Sequence, residues 1–290
     1  MITLHAGSAS LVLAPEIGGA IAGWTWQGRP VMRPADPEAI VQRRSRGLSA
    51  FPLVPYSNRI GNARFSFGGE EFELARNFGD EPHAVHGVGW TSAWAVTDES
   101  ETGATITLEH DPSGGNARKW PFAFHAEQRF SFAEDTLRVG MTLRNTDHRP
   151  APAGLGLHPY FPRTGDVTLR FTPASVWTNG PDHLPATLVP VPPEWNHANG
   201  RAVGSAKLDN CFAGWDGHAL VSWPGGGLRI EASDIFRHLV VYTPANRSYF
   251  AVEPVSHMND AVNRMDVAGH GLAVLEPGAA LSGEMLFQLT

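Results

Sequence analysis

The stretch Thr136-Leu137-Arg138-Val139-Gly140-Met141-Thr142-Leu143-Arg144 decides the fold class. Its apolar side chains fall on every second position, the period of a strand with one buried face, and they leave no 3.6-residue stripe for a helix. Short apolar segments bounded by turn residues return at 104–109, 167–171, 228–232, 239–243 and 249–253. Phe65-Ser66-Phe67 and Glu70-Glu71-Phe72-Glu73-Leu74 flank Gly68-Gly69, which reads as a hairpin with a glycine turn. Leu275-Glu276-Pro277-Gly278 carries Pro at the second and Gly at the third position of a type II turn. A closing strand over Ala280–Leu289 follows from it.

Helical signals are few. Residues 36–46 predict a short helix, with Asp36 as its cap and Pro37 at the first helical position. Residues 257–263 predict another turn or two, and 179–200, rich in Pro and polar residues, reads as a long surface loop. With 31 Gly and 23 Pro in 290 residues and no low-complexity run, the chain suits many short strands. No repeat or linker-like shift divides it. The expected architecture is all-β: one large antiparallel β-sandwich domain over 1–290, with few short helices and function on its loops.

A net charge of -7 gives no basic stripe for nucleic acid and no attraction to an anionic membrane, so neither is an expected partner. Cys211 is the only cysteine, which excludes an intramolecular disulfide. Met1 to Ser10 lacks a signal-peptide pattern, and no apolar run reaches the roughly 18 residues of a membrane helix. A cytoplasmic location is therefore expected. Phosphate-binding glycine loops, the dinucleotide fingerprint, the nucleophile elbow and the His-Glu-x-x-His zinc motif are all absent from the sequence. His83 and His86, with His158 as a distant third, invite a metal reading. Positions three apart on a strand face opposite ways, however, so one polar contact and one bystander is the preferred reading, and no metal or other cofactor is expected.

Five segments place hydrogen-bonding side chains in rigid, apolar surroundings: Pro55-Tyr56-Ser57-Asn58-Arg59-Ile60, His83-Ala84-Val85-His86-Gly87, Gly154-Leu155-Gly156-Leu157-His158-Pro159-Tyr160-Phe161, Lys207-Leu208-Asp209-Asn210-Cys211-Phe212 and Phe250-Ala251-Val252-Glu253-Pro254. Arg, His and Asp together offer the donors and acceptors that sugar hydroxyls require. Arg59 alone could be a surface ion-pair partner and Asp209 a turn residue. Glu253, inside an apolar run and just before a proline, is harder to assign a purely structural task.

In this order and spacing the segments resemble the aldose 1-epimerases, the galactose mutarotase-like family, along nearly the whole chain. The most specific matches are the Leu-His-Pro-Tyr-Phe run and Glu253 followed by Asp260-Ala261-x-Asn263. The resemblance implies a large antiparallel β-sandwich that interconverts the α and β anomers of an aldohexose. It implies Glu253 as general base at the C1 hydroxyl and His158 as general acid at the ring oxygen. Arg59, His86 and Asp209, with the neighbouring Asn58, match positions that hold sugar hydroxyls. The sequence departs from the family's usual His-Gly-Gly at His86-Gly87-Val88, and from its usual polar run in Pro254-Val255-Ser256-His257-Met258-Asn259.

Such chemistry needs only proton transfers and a monosaccharide partner. It expects Glu253 and His158 in one polar cleft, on opposite sides of the hemiacetal, with the carboxylate helping the imidazole keep its proton. Three alternatives stand beside it: a hexose 6-phosphate 1-epimerase, a non-catalytic sugar-binding domain and a metal-dependent isomerase. The first would use the basic run of Arg33, Arg43, Arg44 and Arg46, which reads more simply as a solvated helix face.

Overall fold

In the computed structural model, which describes residues 1–290, strands hold 47% of the chain and helical turns 9%. The alternating segments form a nine-stranded antiparallel sheet, with Phe124–Phe132, Thr136–Asn145, Ala280–Leu289 and Gly226–Ala232 side by side at its centre. The burial of Thr136–Asn145 alternates as its sequence does, with Leu137, Val139, Met141 and Leu143 inside. The closing strand therefore occupies the middle of a sheet and locks the last residues of the chain to its core.

An eight-stranded sheet forms the second layer, its neighbours running Pro185–Val189, Ser175–Asn179, Asp209–Ala213, His238–Tyr242, Tyr249–Val255, Gly156–Leu157 and Pro52–Leu53. Tyr160–Pro162 also pairs with Tyr249–Val255. Phe171 of the first sheet meets Phe212 of the second edge-on at 4.9 Å, and Trp223 meets Phe161 at 6.4 Å. Such contacts join the layers into one core of 75 buried residues. A separate four-stranded sheet begins the chain with Ile2–Ala6, Ala9–Ala14 and Ala20–Trp26.

Both predicted turns form. Gly68 and Gly69, at φ 60° and 83°, connect Arg64–Phe67 to Glu70–Glu73, and Ala279 N–H donates to the Glu276 carbonyl at 2.9 Å around Pro277-Gly278.

Three expectations need correction. The helix covers only Pro37–Val41, capped by Asp36 as expected; Arg43, at φ 51°, ends it before Arg46. The turn at 257–263 shrinks to Ala261–Asn263. The stretch 179–200 is not all loop, because Pro185–Val189 pairs with Ser175–Asn179 as an edge strand. Its proline sits at the first strand position, where a missing N–H costs no ladder bond. No helix is long and apolar enough to cross a membrane.

Candidate active site

Register in the second sheet builds the site. Asp209 lies opposite Tyr242, Tyr242 opposite Ala251, and Ala251 opposite Tyr160. Side chains abreast in a ladder share a face, and so do residues two apart on one strand. Tyr249 and Glu253, on either side of Ala251, therefore join Asp209, Tyr242 and Tyr160 on the face away from the first sheet. Phe212, Phe250 and Phe161 point the other way, into the core. The outer face floors a cleft of about 370 Å³, walled by Phe51, Asn58, Arg59, Phe78, Glu81, His86 and His158.

All six residues singled out in the sequence, Glu253, His158, Arg59, His86, Asp209 and Asn58, line this one cleft. His158 and Glu253 do not face each other across a sugar-sized gap, as expected, but are neighbours: Nε2 lies 3.2 Å from Oε1. Both are buried, and the imidazole is sandwiched between Phe51 and Tyr160 with ring centroids at 4.6 and 4.5 Å. His158 Nδ1 and Glu253 Oε2 have no hydrogen-bond partner in the protein.

Burial governs their protonation. It pushes the Glu253 carboxyl well above the usual range, as does nearby Asp209, against the opposing pull of Arg59. It drives the His158 imidazole well below its ordinary value, reinforced by His86 and Arg33. The expectation that a neighbouring carboxylate would raise the histidine is overturned by this desolvation. Both shifts favour uncharged groups, and so a proton on the carboxyl over the ion pair. The same single proton moved to His158 would give the ion pair, and the two forms differ only by a transfer across 3.2 Å.

His86 is a different kind of histidine. Its Nδ1 accepts from Asn58 N–H at 3.0 Å, which leaves the ring proton on Nε2. Burial, with Arg59 and Arg46, pushes its pKa down to about 3. It is a fixed neutral donor. The departure at Val88 is harmless, because Val88 adopts φ -108°. Gly87 is the demanding position: φ is 71°, and a Cβ would meet the Val54 carbonyl oxygen at 2.2 Å.

Arg59 is held by a residue that sequence reading missed. Its Nε and Nη2 donate to the two oxygens of Glu81 at 2.8 and 2.9 Å, a fork-to-fork pair. Burial alone would lower the Arg59 pKa, but Glu81, then Asp209 and Glu253, more than offset this. Asn58 Oδ1 accepts from the Arg59 backbone N–H at 3.0 Å and from Nη1 at 3.4 Å. Two N–H groups of the guanidinium remain for a ligand. Glu81 lies in irregular chain with no periodicity to mark it, whereas Tyr160 and Tyr249 were findable by counting in twos from His158 and Glu253.

His83 is drawn away: its Nδ1 accepts from Asn62 N–H and its Nε2 bonds the Asp182 carbonyl. No group of three His, Cys, Asp or Glu side chains is arranged to hold a metal ion. The site therefore offers an acid–base pair on a floor of tyrosines, ringed by arginines, the carboxylates of Asp209 and Glu81 and one neutral imidazole.

Known proteins share this fold. The Escherichia coli K12 protein YphB, itself uncharacterized, is 29% identical over 98% of this chain and 96% of its own. A solved structure from the same organism, assigned as a candidate aldose 1-epimerase, superposes with a TM-score of 0.89 at 27% identity, covering 99% and 98% of the two chains. A galactose mutarotase-like structure from Clostridium acetobutylicum gives 0.89 at 17% identity over 99% and 94%, a likeness of fold alone. The aldose 1-epimerase family model matches residues 1–288, and the chain belongs to that family.

Proposed function

We propose that this protein is an aldose 1-epimerase that interconverts the anomers of a free aldose, with Glu253 and His158 as its proton-transfer pair. One observation carries the reading: the 3.2 Å approach of a buried carboxyl to a buried imidazole at the floor of a hydrogen-bonding cleft. The hemiacetal's two oxygens hang on one carbon, so a base for one and an acid for the other have to be neighbours.

In the ion-pair form, Glu253 takes the proton of the C1 hydroxyl while His158 gives its proton to the ring oxygen. The C1–ring-oxygen bond breaks and leaves an open-chain aldehyde beside a neutral carboxylic acid and a neutral imidazole. Rotation about C1–C2 turns the other carbonyl face to the chain's own hydroxyl. On closure His158 recovers the proton from that hydroxyl and Glu253 returns its own to the new C1 oxygen. The proton balance is zero. Desolvation favours the uncharged pair both at rest and at the open-chain stage, so the ion pair is a transient form passed through between them. The departing and arriving hydroxyls need fixed partners during rotation, and Arg59, His86 Nε2–H and Asp209 supply them.

Polarimetry on freshly dissolved α-glucose and α-galactose tests the reading. The wild type should accelerate the decay of rotation over buffer. His158→Asn should lose most of that acceleration, about 10²-fold or more, while still binding sugar in calorimetry. Undiminished catalysis in His158→Asn would refute the assignment.

A further inference from the structure

The segment 57–62 carries Arg59 into the cleft wall, and it is not held as strands and helices are. Asn58, Asn62 and the following Ala63 stand at φ 60°, 52° and 54°, in the left-handed region that costs a non-glycine residue energy. Such a path breaks the regular ladder: only Arg59 and Ile60 lie opposite another strand, at Val85 and Ala84. The backbone N–H groups turn instead to side chains. Ser57 donates to His257 Nε2, Asn58 to His86 Nδ1 and Asn62 to His83 Nδ1, each at 3.0 Å. Arg59 donates to Asn58 Oδ1 at 3.0 Å and Gly61 to Asp260 Oδ1 at 2.9 Å. Of the six N–H groups, all but that of Ile60 therefore end on side chains, and three end on imidazoles.

An imidazole accepts a hydrogen bond only while neutral, and only through its bare nitrogen. The far side of each ring fixes which nitrogen that is. His257 Nδ1 donates to the Met258 carbonyl at 2.7 Å, which leaves Nε2 bare. His83 Nε2 donates to the Asp182 carbonyl at 2.9 Å, which leaves Nδ1 bare. Both residues are buried at 2% exposure. Burial holds the His257 pKa at about 4 and that of His86 at about 3, so both stay neutral acceptors at neutral pH. His86 also serves the cleft, whereas His83 and His257 do not line it and the proton transfers give them no task. Without them, the N–H groups of Ser57 and Asn62 would lose their acceptors, and the left-handed backbone between would relax. Arg59 would then lose its aim into the cleft.

We propose that His83 and His257 are positioning residues: with His86 they clamp the backbone of residues 57–62 by its N–H groups and so aim the Arg59 guanidinium at the sugar. The sugar's part in this rests on the epimerase reading, and the clamp itself does not. NMR of the histidine ring nitrogens at neutral pH should show a split in tautomers, with the proton of His257 on Nδ1 and those of His83 and His86 on Nε2. The reverse tautomer at His257 or His83 would overturn the clamp in the wild type, with no variant needed. Two pairs of near-isosteric substitutions test the positioning. His257→Gln and His83→Asn keep an acceptor oxygen where the bare nitrogen stood, whereas His257→Met and His83→Leu keep the bulk and lose the acceptor. His257→Met and His83→Leu should each raise KM by roughly tenfold, the worth of one charge-assisted contact, with kcat changed far less. Each should also speed hydrogen exchange at Arg59 Nε, which is locked in its fork with Glu81. His257→Gln and His83→Asn should bring both readouts back close to wild type, which bulk alone would not do. Equal KM and equal Arg59 exchange within each pair would overturn the positioning role. Arg59 exchange that follows the acceptor, in a protein that converts no sugar, would keep the clamp and remove the epimerase reading. Anomer conversion with all four variants alike would do the reverse.

Discussion

Glu253→Gln should move activity and stability in opposite directions. The amide keeps the size and hydrogen-bonding shape of the side chain but can neither accept the C1 proton nor ionise, so kcat should fall by about 10²–10⁴-fold. Stability should rise, because Glu253 is 2% exposed and its Oε2 lacks a partner. Burial holds its folded pKa well above the unfolded value. A group raised in this way favours the fold at low pH and loses that contribution as pH climbs through the folded pKa. Each pH unit over which the unfolded chain ionises while the fold keeps its proton costs the wild type about 1.4 kcal/mol. One such unit corresponds to about 2 °C in Tm for a chain of this size. The Tm advantage of the glutamine variant should therefore be small near pH 4 and grow toward neutrality. Calorimetric Tm values from pH 4 to 8, beside polarimetric kcat, provide the check. A glutamine variant with near wild-type turnover would end the mechanism, and a Tm difference that ignores pH would end the desolvation argument.

The pH–rate profile should be a bell: its alkaline limb marks loss of the pair's one proton and its acidic limb the gain of a second. Because burial raises Glu253 and lowers His158, this reverses the limb assignment that unperturbed residues would suggest. In the residual activity of His158→Asn the acidic limb should vanish and the alkaline limb shift, and an acidic limb that persists would refute the assignment. Glu81→Gln frees the Arg59 fork, so KM should rise by roughly tenfold with kcat changed far less; loss confined to kcat would refute a positioning role. Asp209→Asn should likewise weaken sugar affinity, and abolished turnover at saturating sugar would promote Asp209 to a proton-transfer role. The fold should weaken in acid through His238 and His257, whose pKa values burial lowers to about 4. Between there and the unfolded value near 6.5 the unfolded chain binds more protons, costing about 2 kcal/mol per histidine at pH 5. An unchanged urea midpoint between pH 7 and pH 5 would contradict this.

The nine-stranded sheet was legible because its instructions are local. Alternation in Thr136–Asn145, the paired glycines 68–69 and the Pro277-Gly278 turn each act through steric and hydrophobic preferences of adjacent residues. The edge strand Pro185–Val189 escaped notice because it is mostly exposed and joins the sheet chiefly through backbone bonds, which leave little mark on side-chain pattern. The helix was overextended because the left-handed Arg43 that stops it carries no glycine to announce the break.

At the site, residue types and their membership of one cleft could be read from the chain, largely through family likeness. Adjacency and charge state could not. Glu253 and His158 meet because the register sets Tyr160 against Ala251, joining segments far apart in sequence. A shift of one residue in that pairing would turn Glu253 into the core. Glu81 reaches Arg59 only after the chain between them has folded back. The pair's single proton depends on how completely Phe51 and Tyr160 exclude water from the imidazole. Strand pattern belongs to neighbours along the chain, whereas desolvation belongs to neighbours in space, and it is desolvation that sets where the proton rests.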